Sequence, residues 1–188
     1  MKPGVRALGV AESYRGNRST LAGVVVTAAR AVDGFEFSSC TVGGLDATES
    51  IRDLYSDLDR DDIRYLLLAG VALAWFNVVD LRALSRVADR PVISVTFEES
   101  DGLEPALRRE FDGDALDRRL AAYRSLPDRR ATTVNGETVY IRAVGIGQEE
   151  AADVVEAYTP AGGRPEPVRV ARQAARAADR FVRRTTDA

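Results

Sequence analysis

Histidine does not occur anywhere in these 188 residues. Its absence removes every Ser-His or Cys-His nucleophile pair and every histidine-containing metal site. Lysine is almost as scarce, since Lys2 is the only one among 26 basic residues and the rest are arginine. An internal Schiff-base site and a P-loop lysine are therefore both excluded. Cys40 is the single cysteine, so no internal disulfide forms. It sits in the strand-like run FEFSSCTV with no recognisable base nearby, which reads as a small buried thiol rather than a nucleophile. No apolar run approaches a membrane span, and Met1 to Val10 lacks the apolar core of a secretion signal. A soluble, cytoplasmic protein with no membrane contact is expected.

What is present suits one folded unit. Apolar residues make up 45% of the chain, enough for a proper core, and a single domain over residues 1–188 is expected. Arginine in place of lysine with an acidic balance suggests a high-GC or salt-adapted source. The charge is uneven along the chain. From Arg164 onward seven arginines face Glu166, Asp179 and Asp187, a local surplus in a chain whose net charge is −3. Arg169, Arg172, Arg176, Arg180 and Arg183 recur every three or four residues and form one basic stripe, either a solvated face balancing an acidic body or a track for phosphates.

The order of elements narrows the fold. RALGV predicts a short strand breaking at Ala11-Glu12-Ser13, followed by a valine-rich strand over Thr20 to Ala31. Asp33-Gly34 reads as a hairpin turn, and Phe35 to Val42 alternates as a strand should. Asp46 is placed to cap the helix ATESIRDLYSDL, whose Ile51, Leu54, Tyr55 and Leu58 fall at helical spacing. RYLLLAG is a strand buried on both faces, Asn77 is placed to cap the helix VVDLRALSRVA, and PVISVT is a further buried strand. A helical stretch from Leu103 to Leu126 split at FDGDAL, a hairpin at Asn135-Gly136, and helices over Gln148 to Tyr158 and Val168 to Arg184 complete the chain. Three antiparallel strands followed by alternating helix and strand is the order of a ribonuclease H-like mixed α/β sheet flanked by helices.

The strings GVAESY (Gly9 to Tyr14), LLLAGVA (Leu66 to Ala72), PVISVTF (Pro91 to Phe97), VGIGQEEAADVV (Val144 to Val155) and RPEPVRVARQAA (Arg164 to Ala175) stand in the order and approximate spacing of the endonuclease V motifs. With VGGLDATES and AWFNVVD, the chain resembles the archaeal domain-of-unknown-function 99 family, which is endonuclease V-like. The resemblance implies an endonuclease V-like fold over the whole chain. It also implies a family activity, magnesium-dependent cleavage of inosine-containing or deaminated nucleic acid.

The same resemblance shows where the chemistry is missing. Ala11 and Ala69 stand where endonuclease V motifs end their strands in aspartate, Phe97 replaces a lysine, and Gly145-Ile146 replaces a glycine-histidine pair. Magnesium needs a shell of oxygens anchored by carboxylates, and alanine supplies none. Glu12 follows Ala11, but neighbours on a strand face opposite ways, so it substitutes only where the strand is irregular. Asp46 and Glu49 are the remaining acids in the right region, with Asp46 also accounted for as a helix cap.

The candidate cleft comprises Ala11, Gly43, Gly44, Ala69, Gly70, Trp75, Asn77 and Arg169. Trp75 either stacks on a base or belongs to the core, and the glycines either admit a ligand or make turns. Three functions follow. The first is a degenerate, non-catalytic domain without metal or other cofactor that binds nucleic acid or a nucleotide. The second is a magnesium-dependent nuclease with a rearranged site of Glu12, Asp46 and Glu49. The third is a protein-interaction scaffold.

Overall fold

Three long antiparallel strands open the chain: β1 (Arg6–Arg15), β2 (Arg18–Thr27) and β3 (Val32–Thr41). The computed structural model describes residues 1–186. The expected break at Ala11 to Ser13 does not occur. β1 pairs with β2 residue by residue, Ala11 with Ala22 and Glu12 with Leu21, so strict alternation holds to the end of the strand. The hairpin turn lies upstream of Asp33-Gly34, where the Thr27 N–H donates to the Ala31 carbonyl at 2.9 Å. Asp33 instead falls at a bulge, because the register passes from Val25 opposite Gly34 to Val26 opposite Val32. Its carboxylate is held there by Arg6 and Arg60, at 2.5 and 2.8 Å.

The chain continues through α1 (Ala47–Asp57), β4 (Ile63–Leu68), a two-residue ribbon of β5 (Ala72–Leu73) and β6 (Asn77–Val78), α2 (Leu81–Ala88) and β7 (Val92–Thr96). Two short helices, α3 (Glu104–Glu110) and α4 (Gly113–Arg124), precede the hairpin of β8 (Arg130–Val134) and β9 (Glu137–Val144). The helices α5 (Gln148–Ala157) and α6 (Glu166–Thr186) follow. The main sheet has the order β3-β2-β1-β4-β7-β9-β8, with β1, β4 and β7 mutually parallel and the other pairings antiparallel. The predicted mixed α/β sheet is therefore present, with β4 at its centre.

Alternation along the strands builds a core on each face. Leu8 and Val10 of β1 meet Ile51 and Leu54 of α1 and Leu81 and Leu84 of α2. Ala7, with Ile93 and Val95 of β7 and Val139 and Ile141 of β9, meets Val154 and Val155 of α5 and Val168 of α6. Ala11, Val24 and Val26 meet Ala171 of α6. Gly9 makes the seating of α6 possible: a Cβ there would lie 2.1 Å from the Pro167 carbonyl carbon, so helix and strand backbones touch.

Candidate functional site

The Ala69 N–H donates to the Val10 carbonyl at 3.0 Å, so Ala69, just past the end of β4, lies beside Ala11 in the middle of the neighbouring parallel strand β1. Ala11 is 1% exposed, and both alanines pack in the apolar cluster under α6. Glu12 points to the opposite face, where its carboxylate accepts from the buried Ser19 hydroxyl at 2.9 Å. Cys40 lies in the same region and is buried as expected. Burial first, then the negative charges of Asp46 and Glu12, push its thiol up to about 12 and keep it protonated and unreactive.

Beyond Ala69 the chain turns at Gly70 (φ 96°) and then holds three consecutive non-glycine residues, Ala74, Trp75 and Phe76, in the left-handed region at φ 43°, 58° and 61°. Each such residue costs about 1–2 kcal/mol, so the loop persists only because its surroundings fix it. The Gly43 N–H donates to the Ala74 carbonyl at 2.7 Å, and the Trp75 ring lies over Gly43, where a Cβ would come within 2.8 Å of it. Phe111 meets Trp75 and Phe76 with ring centroids 5.2 and 5.9 Å away. Arg119, 4% exposed, stacks on Phe111 at 3.9 Å and donates to the carbonyls of Gly43, Gly44 and Ala115. Trp75 nevertheless keeps 43% of its surface exposed, so it is not a core residue.

Two capping expectations are corrected. Asp46 precedes α1 with a helical backbone (φ −103°, ψ −2°), and its side chain makes no cap hydrogen bond. A capping side chain usually needs an extended backbone at that position. Asn77 supplies the missing acceptor from a distant loop, its Oδ1 accepting from the Ala47 N–H at 3.0 Å. Asn77 also donates to Asp46 Oδ1 at 2.6 Å and to the Thr41 carbonyl at 2.9 Å. Burial raises the Asp46 pKa, but hydrogen bonds from Asn77 and Thr41 outweigh it and hold the carboxyl below its ordinary value. Asn77 does not cap α2; Asp80 does, accepting from the N–H groups of Arg82 and Ala83 at 2.9 Å.

The three residual acids do not assemble. Glu12 is bound to Ser19, Asp46 to Thr41 and Asn77, and Glu49, 67% exposed, to Arg52 at 3.0 Å. Among the described residues no group of three or more His, Cys, Asp or Glu side chains could hold a metal ion. The donor set around Ala11 and Ala69 does not fit a pair of magnesium ions.

A different site occupies the ends of β4 and β7. A cavity of about 340 Å³ is lined by Ala69, Gly70, Ser94 and Thr96 from the sheet side, Leu103 just before α3, Tyr123 from α4, and Val168 and Arg172 from α6. Arg129, Arg142 and Arg164 also line it, with Glu98 as the one carboxylate. Arg129 stacks on Tyr140 at 3.9 Å and donates to the Thr96 hydroxyl at 3.1 Å and to backbone carbonyls of Glu98 and Ser100. Arg142 donates to the Pro127 carbonyl and the Tyr123 hydroxyl, and Arg164 lies over Phe97 at 4.2 Å. None of these four arginines forms an ion pair among the described residues. Burial, and then the like charge of Arg129, lower the Arg142 pKa.

Of the residues named from the sequence, Ala69 and Gly70 line this cavity. Ala11 lies beside it under α6, Gly43, Gly44, Trp75 and Asn77 belong to the loop network, and Arg169 pairs with Glu166 at 2.5 Å in a separate surface hollow. The basic stripe is divided likewise, since Arg183 pairs with Asp179 at 2.9 Å, whereas Arg172, Arg176 and Arg180 are exposed without ion pairs among the described residues. Arg129, Arg142 and Arg164 were missed. The one available signal was ETVYIRAV, whose alternation places Tyr140 and Arg142 together on the face opposite buried Val139 and Ile141.

The family model for endonuclease dU matches residues 3–179. The chain belongs to the endonuclease dU family. Its relatives include a UPF0215 protein of Pyrobaculum aerophilum, 33% identical over 94% of this chain and 95% of that one, and one of Thermococcus kodakarensis, 32% identical over 94% and 93%. A crystal structure of a protein of unknown function from Archaeoglobus fulgidus superposes with a TM-score of 0.81 at 27% identity, covering 92% of this chain and 97% of that one. Endonuclease V of Streptomyces avermitilis shares the fold with a TM-score of 0.61 at 17% identity, covering 96% and 83%. So does endonuclease V of Ciona intestinalis, solved with an inosine-containing 24mer DNA, with a TM-score of 0.60 at 14% identity, covering 94% and 86%. This member of the endonuclease dU family thus carries an endonuclease V-like sheet with alanines at residues 11 and 69 beside an arginine-lined cavity.

Proposed function

We propose that this protein binds nucleic acid or a nucleotide at the ends of β4 and β7 without cleaving it through a pair of metal ions. The observation that carries this reading is the exchange of charge sign at the site. Ala11 and Ala69 offer no oxygen to a cation, while Arg129, Arg142, Arg164 and Arg172 converge on the adjoining cavity with only Glu98 to offset them. Such a site repels magnesium and attracts phosphate. The family description and the inosine-containing DNA bound by the Ciona intestinalis endonuclease V support nucleic acid as the ligand class. The overall acidic charge of the chain is no obstacle, because the unpaired arginines lie together at the cavity and along α6.

The test combines binding and cleavage on single-stranded DNA and RNA containing uracil or inosine, with magnesium or manganese present. Salt-sensitive binding without cleavage is expected. Metal-dependent cleavage that disappears in Glu12→Ala or Asp46→Ala would replace this reading with the rearranged nuclease. Absence of any nucleic-acid or nucleotide binding would leave the scaffold reading.

A further inference from the structure

The geometry points to a narrower ligand, a nucleotide bearing a terminal phosphate monoester, either free or at the end of a single strand, with the phosphate against Arg129 and Arg142 and the base against the Arg164–Phe97 stack. This inference rests on the preceding reading and specifies what the cavity selects.

Charge and donor count favour a monoester over an internal phosphodiester. An internal phosphate carries one negative charge, whereas a terminal one carries about −1.5 to −2 at neutral pH and presents three acceptor oxygens. Four arginines against one glutamate exceed what a single diester neutralises. The donors are available as well. A guanidinium has five N–H groups, and Arg142 commits its Nη atoms to only the Pro127 carbonyl and the Tyr123 hydroxyl. Arg164 and Arg172 make no hydrogen bond among the described residues. The backbone carbonyls and hydroxyls that hold Arg129 and Arg142 fix their direction without cancelling their charge, which is the arrangement a preorganised anion site needs.

Size and shape agree. About 340 Å³ is at the small end of ligand sites and suits one nucleotide rather than a stretch of strand. The segment leading into α3, together with α4, walls one side and α6 the other. Arg164 is exposed and its guanidinium lies over the Phe97 ring at 4.2 Å, and arginine planes are established stacking surfaces for unpaired bases. Arg172, Arg176 and Arg180 are spaced by four residues, about 6 Å along the helix, and lead away from the cavity along α6. A strand whose last nucleotide sits in the cavity would lay its next phosphates on them.

Calorimetric titration with deoxyuridine 5′-monophosphate, deoxyuridine and inorganic phosphate tests the ligand. Fluorescence anisotropy with short single strands ending in 5′-phosphate, 3′-phosphate or hydroxyl identifies the source. The monophosphate is expected to bind at least roughly tenfold more tightly than the nucleoside, one unit of log affinity. A phosphate-ended strand should exceed the hydroxyl-ended one by a similar factor, and Arg164→Gln and Arg172→Gln should each reduce the preference. These two arginines are exposed, so the variants will fold even where Arg129→Gln or Arg142→Gln does not. Equal binding of phosphate- and hydroxyl-ended strands would overturn the inference while leaving nucleic-acid binding intact. Inorganic phosphate binding as tightly as the monophosphate would also overturn it, reducing the cavity to an ion site. Failure of every strand and nucleotide to bind would overturn this inference together with the proposed function.

Discussion

Two polar clusters flank the end of β4, and their arginines are used in opposite ways. In the loop network Arg119 is buried and directed at the carbonyls of Gly43 and Gly44, Asp46 is met by Thr41 and Asn77, and Asn77 spends both ends of its amide on fixed partners. In the cavity Arg129 and Arg142 are fixed just as firmly, by Thr96, Tyr123 and backbone carbonyls, but neither forms an ion pair among the described residues. The difference separates structure from function. A network that satisfies itself pins a strained loop, whereas one that keeps its charge uncompensated bears a standing cost that a ligand removes.

The largest expected effect comes from reversing the charge logic at the strand ends. Ala11→Asp with Ala69→Asp would place two carboxylates in an apolar cluster, and a loss of several kcal/mol is expected in thermal or urea unfolding without divalent metal. Partial recovery with magnesium would show that the strand ends still have the geometry for cations.

Asn77→Ala should cost about 1–3 kcal/mol in denaturant unfolding, because the Ala47 N–H and the Asp46 carboxylate both lose a partner, while nucleotide affinity stays unchanged. A matching loss of affinity would merge the two clusters into one functional unit. The same pair carries a pH signature. The folded Asp46 pKa lies below the ordinary 3.8. Its stabilisation is therefore complete above that value and is lost as pH falls through the folded pKa. On acid titration the stability gap between wild type and Asn77→Ala should narrow only as pH falls below 3.8 through the folded Asp46 pKa, and the part due to the Ala47 N–H should persist.

Smaller still is Arg176→Gln, which should leave stability within about 0.5 kcal/mol. It should flatten the salt dependence of single-strand binding by about 0.7 in the log-log slope. An unchanged slope would remove α6 beyond Arg172 from the binding surface. Glu49→Ala should change neither stability nor binding measurably, since its pairing with Arg52 is a surface contact.

Elements whose signal is local were legible in the chain. The apolar run RYLLLAG became β4 at the centre of the sheet, and Asn135-Gly136 turned the hairpin of β8 and β9 as expected. The errors arose where a local signal had a distant partner. Asp33-Gly34 has hairpin chemistry, but Arg6 and Arg60 fix it inside a bulged strand. Asp46 has capping chemistry, but Asn77, 31 residues away, provides the cap. The site divided in the same manner. The alanines at residues 11 and 69 and the exposed loop tryptophan were visible by position, whereas the cavity was not.

The sequence by itself determined the removals: no histidine, a lone lysine at residue 2, a single cysteine, and alanine at residues 11 and 69. It also determined the mixed sheet, because strand and helix periodicity is written in consecutive residues. Only the tertiary structure decided which of 25 arginines remain without a counter-charge. Ion pairing depends on distances between residues far apart in the chain, and the four cavity arginines come from the β8 approach, β9 and the two sides of the α6 start. Folding brings them to one end of the sheet, and the scarcity of acidic neighbours there, with Glu98 the one carboxylate in the lining, gives the cavity its sign.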